Sequence, residues 1–318
     1  MKGGLMVEIQ KSQIIGQKSG PHLLITGGVH GDEFEPMWAI RRLAGEVDAD
    51  ALRGRLTLVP VANEAAFLRG ERTADDQLDL ARTCPGKPDG SITERTAHAL
   101  SELIRTADFY IDLHTGGRAM SVWPLVGYKL VRDAKMLATQ RRMARAFNLP
   151  VVWGTDYRLQ GRTLSVARDA NIPSIYAEYL GSGLCDPKGV DAYVEGCLNV
   201  MAELDMLDGA SLSHQGAASR IRYEVDDHRE SAGHMQIRNP SPRTGFFQPA
   251  VQLGQSITVG AALGEVTDVM GEQRTTVWSR ESGIVIVLRT FSRVFEGDAL
   301  AVILETDLPP REDEHASN

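Results

Sequence analysis

Short apolar runs alternate with longer amphipathic stretches over the first two-thirds of the chain. Between residue 22 and about residue 206, the apolar runs are typical of buried strands, and the amphipathic stretches are typical of helices with one apolar face. The predicted strands contain residues 23–26, 56–61, 109–113 and 175–177. This alternation predicts an α/β fold in which helices cover both faces of a sheet.

Three amphipathic stretches predict individual helices between these strands. Met37 and Leu43 lie on one apolar helical face. Ser91, followed three residues later by Glu94, has the sequence pattern of a capping box at the start of a second helix. A third apolar stripe covers residues 190–201 and predicts a further helix before the pattern changes.

The pattern changes after about residue 207, and we predict a division into domains there. Residues 1–207 form the predicted α/β domain, and residues 208–234 are predicted to be an interdomain segment that begins with small and polar residues. Residues 235–306 contain short β-like runs separated by glycines, which predicts a small all-β domain. Residues 307–318 are predicted to be a polar tail.

The composition narrows the class of protein. A net charge of −8 and a pI near 5.5 argue against a nucleic-acid-binding protein, which normally has a basic face. We expect no secretory signal, because the first residues contain no long apolar run, and we expect no membrane span, because no apolar stretch approaches the required length. Cys84, Cys185 and Cys197 form no CxxC pair and cannot all pair with one another, which favours free thiols in a reducing compartment. We therefore expect a soluble cytoplasmic protein.

Metal-ligand side chains follow two of the predicted strands. His30 and Glu33 come after the strand at 23–26, and His114 ends the run that begins at 109. Ligands of α/β sheets gather beyond the carboxyl ends of strands, so these side chains are expected to meet. Two imidazoles and one carboxylate are the ligands of a catalytic zinc that keeps its fourth position for water. A His-x-x-Glu pair alone is weak evidence, and the placement of His114 strengthens it.

Glu178 follows a third predicted strand in the same way. A glutamate beside the metal, but not bound to it, could take a proton from water and pass it to a leaving amine. The alternative is a structural glutamate that caps a loop or pairs with an arginine. Its position at a strand end favours the catalytic interpretation.

Several arginines surround the expected cleft. Arg69, Arg72 and Arg82 lie in a segment with glycines and prolines, which we interpret as a loop. They either form a solvated charged surface or hold an anionic substrate, because a guanidinium binds a carboxylate through two parallel hydrogen bonds. Arg118 and Arg162 flank the cleft and are further candidates for substrate contacts.

These motifs resemble those of the succinylglutamate desuccinylase/aspartoacylase family, a branch of the zinc carboxypeptidase-like hydrolases. The family pattern Gly-x-His-Gly-x-Glu is present at residues 28–33, and Asp-x-His-Thr-Gly is present at residues 112–116. Glu-Tyr-x-Gly is present at residues 178–181. The family's Asp-Leu-Asn-Arg-x-Phe-Pro-Gly motif aligns with residues 79–86, where Ala81 replaces the asparagine and Cys84 replaces the phenylalanine.

The resemblance implies a fold, a cofactor and residue roles. It implies a zinc-carboxypeptidase-like catalytic domain, followed by a lipoyl-like β barrel that shields the cleft. A carrier function of that barrel is excluded, because Lys188 is the last lysine in the chain. The implied roles are one zinc ion on His30, Glu33 and His114, Glu178 as general base and proton shuttle, Arg72 rather than Arg69 polarising the scissile carbonyl, and Arg82 binding the substrate carboxylate.

The resulting hypothesis is a zinc-dependent amidohydrolase that removes an acetyl or succinyl group from a small N-acyl amino acid. The expected partners are this substrate and further copies of the chain, with no nucleic acid and no membrane. Ala81 takes the place of the family asparagine that would share the substrate carboxylate with Arg82. Two alternatives stay open, namely a metallocarboxypeptidase acting on short peptides and a non-catalytic protein that binds a metal or a ligand.

Overall fold

The computed structural model describes residues 7–208 and 219–306. Part of the predicted interdomain segment, residues 209–218, and the whole predicted tail lie outside the described residues. The helices are α1 (Phe34–Glu46), α2 (Glu64–Arg69), α3 (Leu80–Thr83), α4 (Ile92–Ile104), α5 (Ala134–Phe147), α6 (Thr163–Asp169) and α7 (Pro187–Glu203). None of the described helices has the length and apolar character needed to span a bilayer.

The strands of the first two-thirds of the chain build one mixed sheet. They are β1 (Ser12–Ile15), β2 (Lys18–Thr26), β3 (Arg53–Val59), β4 (Phe109–His114), β5 (Met120–Lys129), β6 (Val151–Thr155), β7 (Ser174–Gly181) and β8 (Tyr223–Asp226). Strands β3, β2, β4 and β7 are parallel neighbours in this order. Strand β1 is antiparallel to β3, and β5 is antiparallel to β7. The parallel strands at the centre of the sheet therefore have the carboxyl ends of β2, β4 and β7 side by side.

Helices cover both faces of this sheet, as the sequence predicts. One core packs Ile40 of α1, Phe147 of α5 and Tyr193 of α7 against the sheet. The core on the opposite face contains Leu100 of α4 and Leu164 of α6. Successive residues of a strand point to opposite faces, so each central strand contributes to both cores. The predicted α/β fold class is confirmed.

The last third of the chain forms antiparallel β structure, which confirms the predicted C-terminal all-β part of the fold. Its strands are β9 (Gly245–Pro249), β10 (Ser256–Ile257), β11 (Ala262–Thr267), β12 (Arg274–Trp278), β13 (Gly283–Arg289), β14 (Arg293–Val294) and β15 (Ala301–Glu305). A second sheet has the order β12-β11-β9-β14, and an apolar core joins its side chains to those of β13 and β15.

Strand β5 joins the two parts of the molecule. Residues 120–122 pair with β13, whereas residues 125–129 pair with β6. The larger sheet therefore divides along β5 and continues into the C-terminal strands. The predicted domain bounds stay a prediction. The pairing of β5 with β13 shows that the two parts share one sheet.

The segment that carries the arginines is partly helical, so the interpretation of it as a loop is wrong in part. Asn63 caps α2 by accepting a hydrogen bond from the Ala66 amide, and Arg69 is the last residue of that helix. Asp79 caps α3 by accepting from the Ala81 amide. Both helices are short and begin at a side-chain cap. They are too short to show an apolar periodicity, so the sequence pattern does not predict them.

Candidate metal centre and active-site cleft

His30, Glu33 and His114 converge at the carboxyl ends of β2 and β4. One ligand atom from each residue lies within 4.8 Å of the other two. The two carboxylate oxygens of Glu33 lie 2.7 Å from Nδ1 of His30 and 3.0 Å from Nδ1 of His114. His30 and Glu33 are 3% and 1% exposed, and His114 is 9% exposed. Three potential ligands therefore meet in a nearly enclosed place.

Local backbone geometry brings the first two residues together. Gly28 has φ +62°, and a Cβ there would lie 2.9 Å from the Val61 Cα, so the turn after β2 requires glycine. The turn leads to Glu33, which is the N-cap residue of α1. His114 is the last residue of β4, and its carbonyl accepts a hydrogen bond from the Tyr193 hydroxyl of α7.

A carboxylate lies next to the Nε2 atom of each of the two imidazoles. Asp79 Oδ1 lies 3.1 Å from Nε2 of His30, and Asp112 Oδ2 lies 3.0 Å from Nε2 of His114. Metal-binding histidines commonly donate their second ring N–H to a carboxylate, which fixes the tautomer and the ring orientation. Both Nδ1 atoms therefore remain directed at Glu33, and this donor arrangement fits a zinc ion held by two imidazoles and one carboxylate.

Sequence reasoning assigned no role to these outer carboxylates, although one had a detectable signal. Asp112 lies two residues before His114, and alternate residues of a strand share one face. Asp112 is fully buried and accepts hydrogen bonds from the hydroxyls of Thr26 and Thr163. The contact between Asp79 and His30 joins residues 49 positions apart, and only the tertiary structure reveals it.

The ionised Glu33 and the protonated His114 stabilise each other's charge. Burial opposes ionisation of Glu33, yet the two imidazoles hold the pKa of this carboxylate below its usual value. Burial also opposes protonation of His114, but Asp112 and Glu33 raise the pKa of its imidazole well above the ordinary value. The carboxylates of Glu33, Asp79 and Asp112 thus lie against two imidazoles, and such a set of donors suits a cation.

Glu178 lies beside the metal-ligand group without joining it. It pairs with His114 in the register of β4 and β7, so the two side chains lie on the same face of the sheet. Glu178 is 6% exposed, and its Oε2 has no hydrogen-bond partner among the described residues. Burial raises the pKa of Glu178 to about 8. The carboxyl group is thus free to exchange a proton with a molecule in the cleft.

Arg72 and Arg82 contribute to the cleft. Two nitrogens of Arg72 bind Asp79 Oδ2 at 3.1 and 2.9 Å, and a third lies 3.9 Å from the Glu33 carboxylate. Arg82 donates to the Ala81 carbonyl at 2.7 Å and to the Gln236 side chain at 2.5 Å. Burial and the nearby Arg162 lower the pKa of Arg82 to about 10.

The structure does not bring two of the predicted arginines into the cleft. Arg69 binds the exposed carboxylates of Glu71 and Asp75, and Arg118 is exposed with its guanidinium over the Phe291 ring. Neither residue is among those that line the cleft. Sequence proximity placed both near the site, whereas their side chains point to surface partners.

The cleft itself has a volume of about 310 Å³, which suits a small molecule. It extends from the metal-ligand group along the sheet face to Lys129, and residues of the C-terminal part also line it. Arg162 lines it, together with three residues that sequence reasoning missed: Lys129, Tyr176 and Gln236. No motif marks these three, because β5, β7 and the short 3₁₀ helix Met235–Ile237 meet only through long-range packing.

The two departures from the family motif have different surroundings. Ala81 lines the cleft next to Arg82, whose guanidinium is bound by Gln236 from the C-terminal third of the chain. Cys84 is 6% exposed, and burial raises the pKa of its thiol to about 12. A buried thiol of this kind is inert, so Cys84 serves packing.

Comparisons with known proteins agree with the motifs. Residues 19–204 match the family described as the succinylglutamate desuccinylase/aspartoacylase catalytic domain. A relative from Halomonas elongata, N-alpha-acetyl-L-2,4-diaminobutyric acid deacetylase, is 28% identical over 310 residues, which cover 95% of this chain and 86% of the relative.

Solved structures resemble the chain over most of its length. The succinylglutamate desuccinylase/aspartoacylase from Rhodobacter sphaeroides has 29% identity and a TM-score of 0.82. The product-bound ectoine utilization protein EutE (DoeB) from Ruegeria pomeroyi has 27% identity and a TM-score of 0.83. Each comparison covers 94% of this chain and 90% of the other. The family match spans more than half of the sequence, and the chain therefore belongs to the succinylglutamate desuccinylase/aspartoacylase family.

Proposed function

We propose that the protein is a zinc-dependent deacylase that hydrolyses the amide bond of a small N-acyl amino acid of the N-acetyl or N-succinyl type. The products are the free amino acid and a carboxylate. One observation carries the proposal: the His30–Glu33–His114 group lies in one cleft with Arg82 and with Glu178, whose Oε2 has no hydrogen-bond partner among the residues that the structure describes. The names of the relatives, an N-acetyl deacetylase and a desuccinylase/aspartoacylase, support the same reaction class.

His30, Glu33 and His114 would hold one zinc ion per chain. Zinc bound there supplies Lewis-acid polarisation of the scissile carbonyl and makes water a stronger nucleophile. Asp79 and Asp112 orient the imidazoles from behind, so the protein presents both Nδ1 atoms without rearrangement.

The remaining steps belong to side chains of the cleft. In its ionised form, Glu178 takes a proton from the attacking water molecule, and it then donates this proton to the nitrogen of the leaving amine, a step that its raised pKa favours. Arg72, beside the metal ligands, stabilises the negative charge that develops on the carbonyl oxygen. Arg82 binds the substrate carboxylate and thereby places the amide bond between Glu178 and the metal ligands.

Assembly and location are further parts of the proposal. Free Cys84, Cys185 and Cys197 support a reducing, cytoplasmic location. Homo-oligomeric assembly stays a prediction that sedimentation of the purified protein tests directly. The expected ligand is a small molecule, since the acidic net charge does not favour nucleic acid.

The decisive experiment measures amine release from a panel of N-acetyl and N-succinyl amino acids, with the Glu178→Gln protein as the blank. We expect the zinc-loaded wild-type protein to release one amine and the variant to release almost none. Digestion of short peptides without deacylation would instead support a metallocarboxypeptidase. Tight zinc binding without turnover of either class would support a non-catalytic binding protein.

A further inference from the structure

Strand β12 ends the second sheet and leaves one of its edges open. It pairs with β11 on one side, and no strand of the described residues pairs with it on the other. Its sequence, Arg-Thr-Thr-Val-Trp, contains β-branched and aromatic residues, no proline and a single charged residue. These residue types favour strand pairing, and an edge of this kind is a template for pairing with another chain.

Alternate residues of β12 present their backbone groups to the open edge. The Asp268 amide donates a hydrogen bond to the Gln273 carbonyl at the start of the β11–β12 pair. Hydrogen-bonded and non-hydrogen-bonded pairs alternate along antiparallel strands, so every second residue from Gln273 onward directs its backbone groups toward β11. The amides and carbonyls of Arg274, Thr276 and Trp278 therefore point away from β11, to the side where no described strand pairs with β12.

A two-fold axis through Thr276 pairs this edge with itself. Antiparallel pairing about the axis sets Thr276 opposite Thr276 of a second copy, and it sets Arg274 opposite Trp278. Each of these pairs exchanges both of its N–H···O bonds, because all three residues present their backbone groups to the edge. An axis one residue to either side would leave Arg274 or Trp278 without a partner. The register through Thr276 therefore uses the open edge completely.

The side chains on the outer face are complementary in the same register. Val277 packs against the C-terminal core, so Arg274, Thr276 and Trp278 lie on the opposite face of β12. Trp278 is 58% exposed, and the exposed Arg274 has only a long contact of 3.7 Å with Glu265. Hydrogen-bonded antiparallel pairs have Cα atoms about 5.5 Å apart, so the Arg274 guanidinium of one copy reaches the Trp278 ring of the other. A cation over an indole ring is attracted to it, and the axis produces this contact twice.

Exposed apolar side chains lie at both ends of the open edge. Val269 and Met270, in the turn between β11 and β12, are 74% and 75% exposed. Val259 is 63% exposed at the other end, where its amide donates to the Ser282 hydroxyl at 2.9 Å. Because the second copy runs in the opposite direction from Thr276, residue 270 of one copy comes level with residue 282 of the other. The apolar turn of each copy thus approaches Val259 of the other, and burial of these side chains favours association.

We propose that β12 is the interface of a two-fold symmetric dimer, in which a second copy of this chain pairs with Arg274, Thr276 and Trp278. The inference assigns a surface to the homo-oligomer that the sequence predicts, and it goes beyond the deacylase function. No residue of β12 is among those that line the active-site cleft. Assembly and amide hydrolysis can therefore be measured independently.

Charge exchange at the two-fold axis tests the interface. Thr276→Lys sets two ammonium groups opposite each other, and Thr276→Glu sets two carboxylates opposite each other. We expect each variant alone to dimerise about tenfold more weakly than the wild-type protein in sedimentation equilibrium, because like charges directly opposite repel. An equimolar mixture of the two variants should recover the association, which also shows that both variants fold. Ser12→Lys, at an exposed hydroxyl of the edge strand β1, is the matched control and keeps the dimer.

Three results would overturn the proposal. The first is a wild-type protein that stays monomeric at concentrations up to about 100 μM, where even a weak specific interface associates. The second is a dimer that Thr276→Lys leaves intact or that Ser12→Lys weakens equally, because the interface would then lie elsewhere. The third is a mixture of the Thr276 variants that associates no better than either alone, because the axis would then not pass through Thr276.

Disulfide trapping adds a test that does not depend on weakening the dimer. In a Cys185→Ser background, which removes the exposed native thiol, Thr276→Cys places two thiols at the axis. Their Cα atoms would be about 5.5 Å apart, a spacing that a disulfide spans. Mild oxidation is expected to cross-link this variant and to leave Ser12→Cys monomeric. Equal cross-linking of both variants, or of neither, would overturn the interface.

Amine release from the same preparations separates this inference from the proposed function. A cross-linked dimer that cleaves no amide would support the interface and contradict the deacylase. Amide hydrolysis by a protein that stays monomeric would leave the deacylase intact and overturn the interface.

Discussion

The Asp112 carboxylate lies 3.0 Å from Nε2 of His114, on the edge of the imidazole opposite Glu33. Asp112 thus contacts a candidate metal ligand and is not itself a member of the His30–Glu33–His114 group. We expect Asp112→Asn to weaken zinc affinity by about 10–100-fold, because an amide holds the imidazole less firmly in the required tautomer. Competition with a chelator measures the affinity. Asp191→Asn, at an exposed carboxylate, is the control, and equal affinities in the two variants would refute the role of Asp112.

Glu178→Gln removes the proposed proton shuttle and keeps the size of the side chain. We expect kcat to fall by roughly 10²–10⁴-fold, while zinc content stays at one ion per chain, because Glu178 is not a ligand. Single-turnover kinetics and metal analysis on the same preparation measure both quantities. Turnover like that of the wild-type protein would exclude Glu178 from proton transfer, and loss of zinc would show that it holds the metal.

Substitution of two arginines compares the effect of a residue in the cleft with that of a residue at the surface. Arg82→Ala is expected to raise KM for an N-acyl amino acid by about 10–100-fold, because it removes a charged hydrogen bond to the substrate carboxylate. Arg69→Ala is expected to leave kcat and KM unchanged, since Arg69 pairs with exposed carboxylates outside the cleft. Steady-state kinetics of both variants on one substrate provides the comparison. The reverse order of effects would favour Arg69 as the anion-binding residue.

Removal of the metal is expected to abolish amide hydrolysis and to be reversible. Dialysis against a chelator should leave less than about 1% of the activity, because the proposed reaction depends on a polarised carbonyl and an activated water molecule. Addition of one equivalent of zinc should restore it. His30→Ala, which deletes one ligand, should stay inactive under the same treatment. Full activity of the dialysed protein would show that the His30–Glu33–His114 group is not catalytic.

Lys129 makes stability depend on pH in a defined direction. Burial lowers the pKa of Lys129 to about 7 in the folded protein, whereas the pKa of a lysine in an unfolded chain is about 10.4. The unfolded state therefore binds more protons between these values, and this group makes the free energy of unfolding rise with pH from about 7 to about 10. Below pH 7 both states are protonated, and the cost of burying the charge is present in full.

It follows that Lys129→Met stabilises the protein most below pH 7. We expect a gain of about 1–3 kcal/mol at pH 6.5, since the full pKa difference is offset by the two lost hydrogen bonds to the Asp156 and Leu159 carbonyls. The gain should shrink toward zero near pH 10. Denaturant titrations at the two pH values measure it, with Lys135→Met, which removes an exposed lysine of α5, as the control. A gain that is the same at both pH values would show that the Lys129 charge is not responsible.

The candidate metal centre could be predicted because its signals are local. His30 and Glu33 follow one strand within a few residues, and His114 ends another. Parallel strands align their carboxyl ends, so a sequence that places ligand residues after two buried strands already brings them to one edge. The capping box of Ser91 and Glu94 is a local signal of the same kind, and the structure confirms both of its hydrogen bonds.

Residues that meet only through long-range pairing could not be predicted. Strand β5 runs antiparallel to β7, and this register, rather than any spacing, brings Lys129 toward Tyr176. Gln236 reaches Arg82 from 154 positions away. The arginines cannot be told apart by sequence either. Arg69 and Arg82 lie in the same segment rich in charged residues, and only the folded structure shows that they have different partners.

The amino-acid sequence by itself determined the α/β class, the family and the residues that can bind a metal, because hydrophobic periodicity and short motifs are properties of neighbouring positions. The tertiary structure alone decided which arginines line the cleft and which carboxylates lie against the imidazoles. These properties depend on pairing between distant strands and on burial. A side chain therefore acquires its charge environment only when the chain has folded around it.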